Sequence, residues 1–243
     1  MQFILPDWNA PQGVKACTTT RIDGVSGGVY KGLNLGDHVR DDPEHVKQNR
    51  QALIHELDLS RSPQWLSQVH GIELVEAQDD GVCREADGCW SQESGQACIV
   101  MTADCLPVLF ADGDGKRVAA VHAGWRGLLD GILEQAVAGF EKPENLHAWL
   151  GPAIGPDAFE VGEEVRDQFV AFQVQADLAF SPVKDSPGKY LADIYQLARQ
   201  RLDSVGVKSI SGGEYCTYTD AERFYSYRRD GVTGRMASLI WIE

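Results

Sequence analysis

Apolar residues arrive along this chain in two rhythms. Between 96 and 122 they come as short runs, "ACIVMT", "LPVLF" and "RVAAVH", separated by polar or glycine-rich breaks. Runs of that length bounded by turn residues predict strands over 97–102, 106–111 and 116–122. Thr102-Ala103-Asp104-Cys105 separates the first two, and a Gly/Asp turn at 112–115 separates the second and third. From 125 to 140 the rhythm changes. Leu128, Leu129, Ile132, Leu133, Ala136, Val137 and Phe140 recur at helical spacing, which predicts one amphipathic helix packed on a sheet.

An earlier helix follows Asp41-Asp42-Pro43, an N-cap and a proline at the first helical position. Val46, Leu53, Ile54 and Leu57 form its apolar stripe. Further strands are predicted at 64–70 ("QWLSQVH"), 72–77, 145–150, 207–210 and 236–242, and further helices near 162–175 and 190–205. This mixture points to an α+β fold with mixed β-sheets covered by helices. No repeat, low-complexity tract or linker interrupts the chain, and the turn-rich stretch 21–42 comes too early to divide it. One domain over 1–243 is expected.

Composition narrows the partners. The 243 residues carry a formal net charge of −14. Such a surface repels phosphate backbones and anionic lipid, which argues against nucleic acid or a membrane as the main partner. A local arginine cluster can still hold a small anion. The start, "MQFILPDWNAP", lacks the basic region and apolar core of a secretion signal, and no apolar run approaches the roughly 20 residues of a membrane span. A cytoplasmic protein is expected, with its six cysteines reduced and mostly acting as small buried hydrophobes. None of them forms a C-x-x-C pair.

Three residues stand at abrupt ends of apolar segments: His70 in "SQVHG", Cys105 in "TADCLP" and His122 in "VHAGW". Their spacing carries no motif weight, and three unrelated core or loop residues would be the commoner outcome. If they converge, a Cys-His₂ set suits zinc with its fourth position open, the catalytic pattern, in which the pKa of coordinated water falls to roughly 7. The same donors with an axial methionine describe a blue-copper centre, and Met101 lies near Cys105. Six histidines, three of them at 38, 45 and 55, are too few for a multicopper cluster. Two other classes stay open: a hydrolase with Cys105 as nucleophile and His122 as base, and a binding module stapled by zinc. The second is disfavoured because structural zinc takes four protein ligands.

"QVHG", "MTADCLPVLF" and "AAVHAGWRGL", in this order, resemble the YfiH-type family, also called laccase-domain or polyphenol oxidase proteins. The resemblance continues through "GLNLG" (32–36), "AWLGPAIGP" (148–156), "YLADIYQLARQRL" (190–202) and "CTYT…FYSYRRDGVTGRMASLIW" (216–241). It implies a layered α/β/β/α fold and zinc, rather than copper, on His70, Cys105 and His122. It also implies phosphorolysis of adenosine, inosine, guanosine and 5′-methylthioadenosine, with adenosine deamination, so the expected partners are a nucleoside and phosphate. Peptidoglycan editing is a further association of the family, which would suit the Cys-His hydrolase acting on a precursor amide. In one departure, Asp87 is followed by Gly88-Cys89 where the family carries alanine, so local loop adjustment is expected and any role for Asp87 is in doubt.

Those activities assign candidate roles. The nucleobase-deaminase signature H-x-E with P-C-x-x-C is absent, so Asp104 is the candidate proton shuttle, with turn capping as its alternative. Phosphate needs arginine or backbone N–H donors. Arg50, Arg126 and Arg228 are candidates, and Arg126 gains from the start of the predicted 125–140 helix. Asn34 and Gln68 are candidate amide contacts to substrate, or else loop supports. Phe224, Tyr225 and Tyr227 could stack a purine, with core packing the safer assignment. His147 is expected to be structural and Arg229 to form an ion pair. Ala123-Gly124 are expected to let substrate close to the metal.

Overall fold

Two sheets lie face to face at the centre of the computed structural model, which describes residues 1–243. The smaller has four strands in the order β1 (Phe3–Ile4), β2 (Val14–Thr19), β15 (Met236–Ile242) and β7 (Cys98–Thr102). The larger runs β14 (Ser209–Gly212), β10 (His147–Leu150), β8 (Leu106–Ala111), β9 (Val118–Ala123), β6 (Gly88–Ser91) and β4 (Leu74–Glu76). Its β14–β10 and β4–β6 pairs are parallel and the others antiparallel, so the sheet is mixed.

The alternation of side chains along each strand builds three apolar layers. Leu109, Ala111, Val118, Ala120 and Trp149 of the larger sheet meet Cys98, Val100, Met236 and Ile240 of the smaller. The opposite face of the larger sheet presents Val108, Phe110, Ala119, Val121 and Leu150 to helices α3 (Ile132–Ala138) and α5 (Ile194–Ser204). The outer face of the smaller sheet presents Cys17, Ile99, Ala237 and Leu239 to Leu53 of α1 (Pro43–Glu56). The layers therefore run α/β/β/α, as expected. Two small sheets complete the strands: β11 (Glu160–Gly162), β13 (Lys189–Ala192) and β12 (Phe180–Pro182) in one, β3 (Leu66–Ser67) and β5 (Arg84–Glu85) in the other. Helix α4 (Glu163–Phe172) and the short α6 (Tyr227–Asp230) lie outside the central sheets.

Three local expectations are corrected. The helix over 125–140 is two helices, α2 (Trp125–Asp130) and α3, broken at Gly131 with φ +102°. That backbone conformation is open to glycine and costly for other residues. The helix over 190–205 begins only at Ile194, because Asp193 caps it by accepting from Gln196 N, and the residues before it extend β13. The strand over 64–70 shrinks to β3, because His70 at φ +62° turns the chain. Finally, β2 and β6 carry too few residues of clear period to be read from the sequence. Among the cysteines, 17, 89 and 98 are buried as expected, whereas Cys83 is exposed and Cys105 and Cys216 are half-buried.

Candidate metal centre

Strand register brings the three candidate donors together. Leu106 pairs with Ala123 and Pro107 with His122, so Cys105, one residue before β8, stands at the sheet end beside His122. On the other side of β9, Gly88 pairs with Val121 and Leu74 with Gly88, which places Asp87 and the 69–71 turn at the same rim. The donor atoms of His70, Cys105 and His122 all lie within 4.8 Å of one another. Cys105 Sγ is 3.8 Å from His70 Nε2, and the two imidazoles meet edge to face at 76°.

This set fits a tetrahedral metal. Zn–S of about 2.3 Å and Zn–N of about 2.0–2.1 Å hold sulfur and nitrogen roughly 3.6 Å apart across a tetrahedral edge. Three protein donors leave the fourth position open, and both neighbouring cavities reach Cys105 and His70. The donors act on one another's charge. Burial works against the charged form of Cys105, yet His122 and His70 lower its thiol to about 6. Burial likewise opposes charge on His122, and Cys105 with Asp87 raises it to about 9. A metal would displace that imidazolium proton.

Asp87 organises this rim. Its carboxylate accepts from Val69 N (3.1 Å), His70 N (2.9 Å) and Gly71 N (2.7 Å), and its Oδ1 lies 2.7 Å from His122 Nδ1. Its carboxyl group stays below the usual range: burial pushes it up, but the bonds from His122 and the turn amides outweigh that. One acid thus holds the left-handed backbone of His70 and leaves Nε2 of His122 for the metal. The doubt raised over Asp87 is removed. Residue 88 opens β6 rather than a readjusted loop, and a Cβ there would meet Leu74 Cγ at 2.9 Å. A buried acid at the head of the apolar "ADGCW" was the one sequence signal for this role.

Gly124 also has a reason beyond the expected one. A Cβ at this position would lie 2.7 Å from His70 Cδ2 and 3.3 Å from Cys105 Sγ. The glycine makes room for two of the donors.

The other candidate residues divide. Asp104, at φ +101°, accepts from Thr217 Oγ1 (2.6 Å) and Arg228 N (2.7 Å), and its carbonyl accepts from Ile154 N. Both carboxylate oxygens help hold the turn that presents Cys105, the capping alternative, and Asp104 also lines the cavity beside it. Asn34 is fully buried, with its amide spent on Gly36, Asp41 and Arg235 N. Gln68 gives both ends of its amide to the backbone of Met101. Arg50 stacks on Trp65, donates from Nε to Leu35 O and pairs with Asp37. These three residues support loops.

Arg126 and Arg228 do reach the centre. They line a cavity of 240 Å³ with His70, Asp104, Cys105, Trp125, Phe159 and Tyr227. Arg126 is exposed, stacks on Trp125 and makes no ion pair, but α2 spans only six residues, so the expected helix-dipole support is small. Arg228 donates from Nη1 to Glu160 O. Phe224 and Tyr225 are core residues, while Tyr227 is 61% exposed and lines the cavity. His147 lies away from the rim against Ser209, and Arg229 pairs with Asp230. Trp125 and Phe159 went unselected in the sequence because nothing local separates a cavity aromatic from a core one.

A second cavity of 270 Å³ adjoins the same donors. Gln68, His70, Met101, Thr102, Cys105, His122, Tyr227 and Arg235 are among its walls.

Comparison with known proteins agrees with this architecture. The family model described as multi-copper polyphenol oxidoreductase laccase matches residues 15–243. The purine nucleoside phosphorylase YfiH of Escherichia coli K12 is 54% identical over 243 residues, covering 99% of each chain. A purine nucleoside phosphorylase of Pseudomonas aeruginosa is 54% identical over 242 residues, covering 99% of this chain and 98% of its own. A crystal structure of a Neisseria meningitidis protein superposes with a TM-score of 0.96 at 47% identity, covering 100% of both chains. With its fold, its sequence blocks and these relatives in agreement, the chain belongs to the multi-copper polyphenol oxidoreductase laccase family, among its YfiH-type members.

Proposed function

We propose that this protein is a zinc-dependent purine nucleoside phosphorylase. The observation that carries the reading is an open three-donor set, His70, Cys105 and His122, on the wall of a cavity lined by aromatic and arginine side chains. The names of the relatives point the same way. One such donor group is present, which suits a single metal better than the several centres of a multicopper oxidase. Thiolate and imidazole donors in an open tetrahedral arrangement favour zinc.

Each residue has a physical task. Trp125, Phe159 and Tyr227 offer apolar and aromatic surface to a purine. Arg126 and Arg228 present cations at the same cavity for the polar end of the nucleoside. Asp104 holds the turn that carries Cys105, and Asp87 holds both histidines. A bound zinc would supply Lewis acidity at the cavity wall. In phosphorolysis an oxygen of hydrogen phosphate bonds to C1′ of the ribose as the C1′–N9 bond breaks. The bonding pair leaves with the base, and the proton given up by hydrogen phosphate balances the one the base takes up. Adenosine, inosine, guanosine and 5′-methylthioadenosine are the proposed substrates, and adenosine deamination is a second proposed activity.

The test is incubation of metal-analysed protein with inosine and phosphate, with and without chelator, followed by chromatography. Free hypoxanthine and ribose 1-phosphate, lost on chelation and restored by Zn²⁺, are expected. Absence of phosphate-dependent base release from all four nucleosides overturns the reading. Full activity of metal-free protein removes the zinc.

A further inference from the structure

Arg235 enters the second cavity without a counter-ion. Its Nη1 donates to the carbonyls of Thr233 and Gly234, both at 3.0 Å, while its Nε and Nη2 donate to no protein atom. The side chain is half-buried, and burial works against its charge, with Cys105 and Asp104 as the main compensation. Thr102 lines the same cavity, is 2% exposed, and has a buried Oγ1 with no hydrogen-bond partner. A cation with two free donors and a residue with an orphaned buried hydroxyl therefore line one space beside the metal donors. The unmatched hydroxyl is buried at a cost in free energy, and the free arginine donors are open to the cavity, so the pair suits a ligand that accepts hydrogen bonds.

The surrounding loop is shaped around this arginine. Asn34 Oδ1 accepts from Arg235 N (2.9 Å) and from Gly36 N (3.0 Å). A Cβ on Gly36 would come within 2.7 Å of Arg235 Cγ, so glycine there is a matter of space. This accounts for "GLNLG": the motif seats the Arg235 side chain rather than touching a ligand. The other arginines near the centre are placed differently. Arg50 is paired with Asp37, and Arg126 and Arg228 are exposed on the first cavity.

We propose that the cavity walled by Arg235 and Thr102 is an oxyanion site that takes inorganic phosphate, while the nucleoside occupies the cavity walled by Trp125 and Phe159. Arginine, rather than the metal or a helix end, is the phosphate-binding group. A guanidinium with two free N–H donors matches two oxygens of phosphate. On a chain of net charge −14 the long-range field repels phosphate, so binding needs a half-buried local cation. His70, Ala103, Cys105 and Tyr227 line both cavities, so the two substrates meet at the donors. This assignment rests on the phosphorolysis reading for its choice of anion.

The experiment compares Arg235→Gln, Arg235→Lys and Arg126→Gln with the wild-type holoenzyme. Calorimetric titration with inorganic phosphate is run without nucleoside, and the KM values for phosphate and inosine and the zinc content are measured alongside. In Arg235→Gln the Kd and KM for phosphate are expected to rise at least about tenfold, with KM for inosine within about twofold and zinc retained. Arg235→Lys keeps the charge but loses the fork, and is expected to fall between the two. It carries the test alone if Arg235→Gln fails to fold. Unchanged phosphate Kd in the Arg235 variants, or loss of phosphate binding in Arg126→Gln instead, overturns the proposal, as does absence of phosphate binding by the wild type. Phosphate binding through Arg235 with no nucleoside turnover upholds the site and defeats phosphorolysis.

Discussion

Asp87 Oδ1 lies 2.7 Å from His122 Nδ1 while the same carboxylate accepts the amide of His70. One buried acid thereby sets the ring of one metal donor and the backbone of another. Asp87→Asn keeps the volume, but its NH₂ group cannot accept from the 69–71 amides. The expected result is zinc affinity lowered about 10–100-fold and stability lowered by about 2 kcal/mol or more. Competition with a chromogenic chelator and thermal melting measure the two. Wild-type affinity in this variant would show that the carboxylate does not orient the donors.

Gly124 separates metal binding from folding. Gly124→Ala puts a methyl group 2.7 Å from His70 Cδ2 and 3.3 Å from Cys105 Sγ, so the donors must shift while both sheets stay intact. Zinc affinity and nucleoside turnover should each drop by about tenfold or more, with circular dichroism unchanged. A variant that binds zinc normally would mean the rim relaxes freely.

Cys105 should be the first cysteine to react in metal-free protein. Its thiol is lowered to about 6, a large shift. At half-buried Cys216 burial opposes the thiolate, and hydrogen bonds from Thr219 and Gly155 lower the thiol without a comparable charge beside it. Cys17 is buried with its thiol raised to about 12, and exposed Cys83 is raised by partial burial and by Asp37. Thiolate is the reactive form, so alkylation of Cys105 should proceed near its plateau rate at pH 7.5 and slow as pH falls through 6. Zinc should protect it. Mass spectrometry after brief iodoacetamide treatment, with and without zinc, reads this directly; modification at Cys83 first would contradict the geometry.

Asp104→Asn distinguishes a positioning residue from a proton carrier. Loss of one of the two bonds, from Thr217 Oγ1 or Arg228 N, should cost about 1–3 kcal/mol and disturb the turn before Cys105. Zinc affinity and melting temperature should fall together with kcat. A fall in kcat alone, with metal affinity and stability intact, would favour the proton-shuttle role.

Much of this architecture was legible because periodicity reports burial. The runs at 97–102, 106–111 and 116–122 are buried on both faces and appear as β7, β8 and β9 within one or two residues. The breaks were less legible. Leu128 to Phe140 keep helical spacing straight through Gly131, whose left-handed backbone divides the helix, and Asp193 ends an apolar run that looks helical from 190. Local capping and φ decide those boundaries, and hydrophobic pattern does not report either one.

The donor set shows the same division at longer range. The sequence alone determined that His70, Cys105 and His122 each end an apolar segment, and the resemblance of three blocks marked them as ligands. That Gln68 and Asn34 spend their amides on backbone, that Asp87 gathers two histidines, and that Arg235 keeps two donors free was decided by strand register and loop packing. A residue's type says what it can bond. Only the neighbours brought from 17 to 201 positions away say which of those bonds are already made.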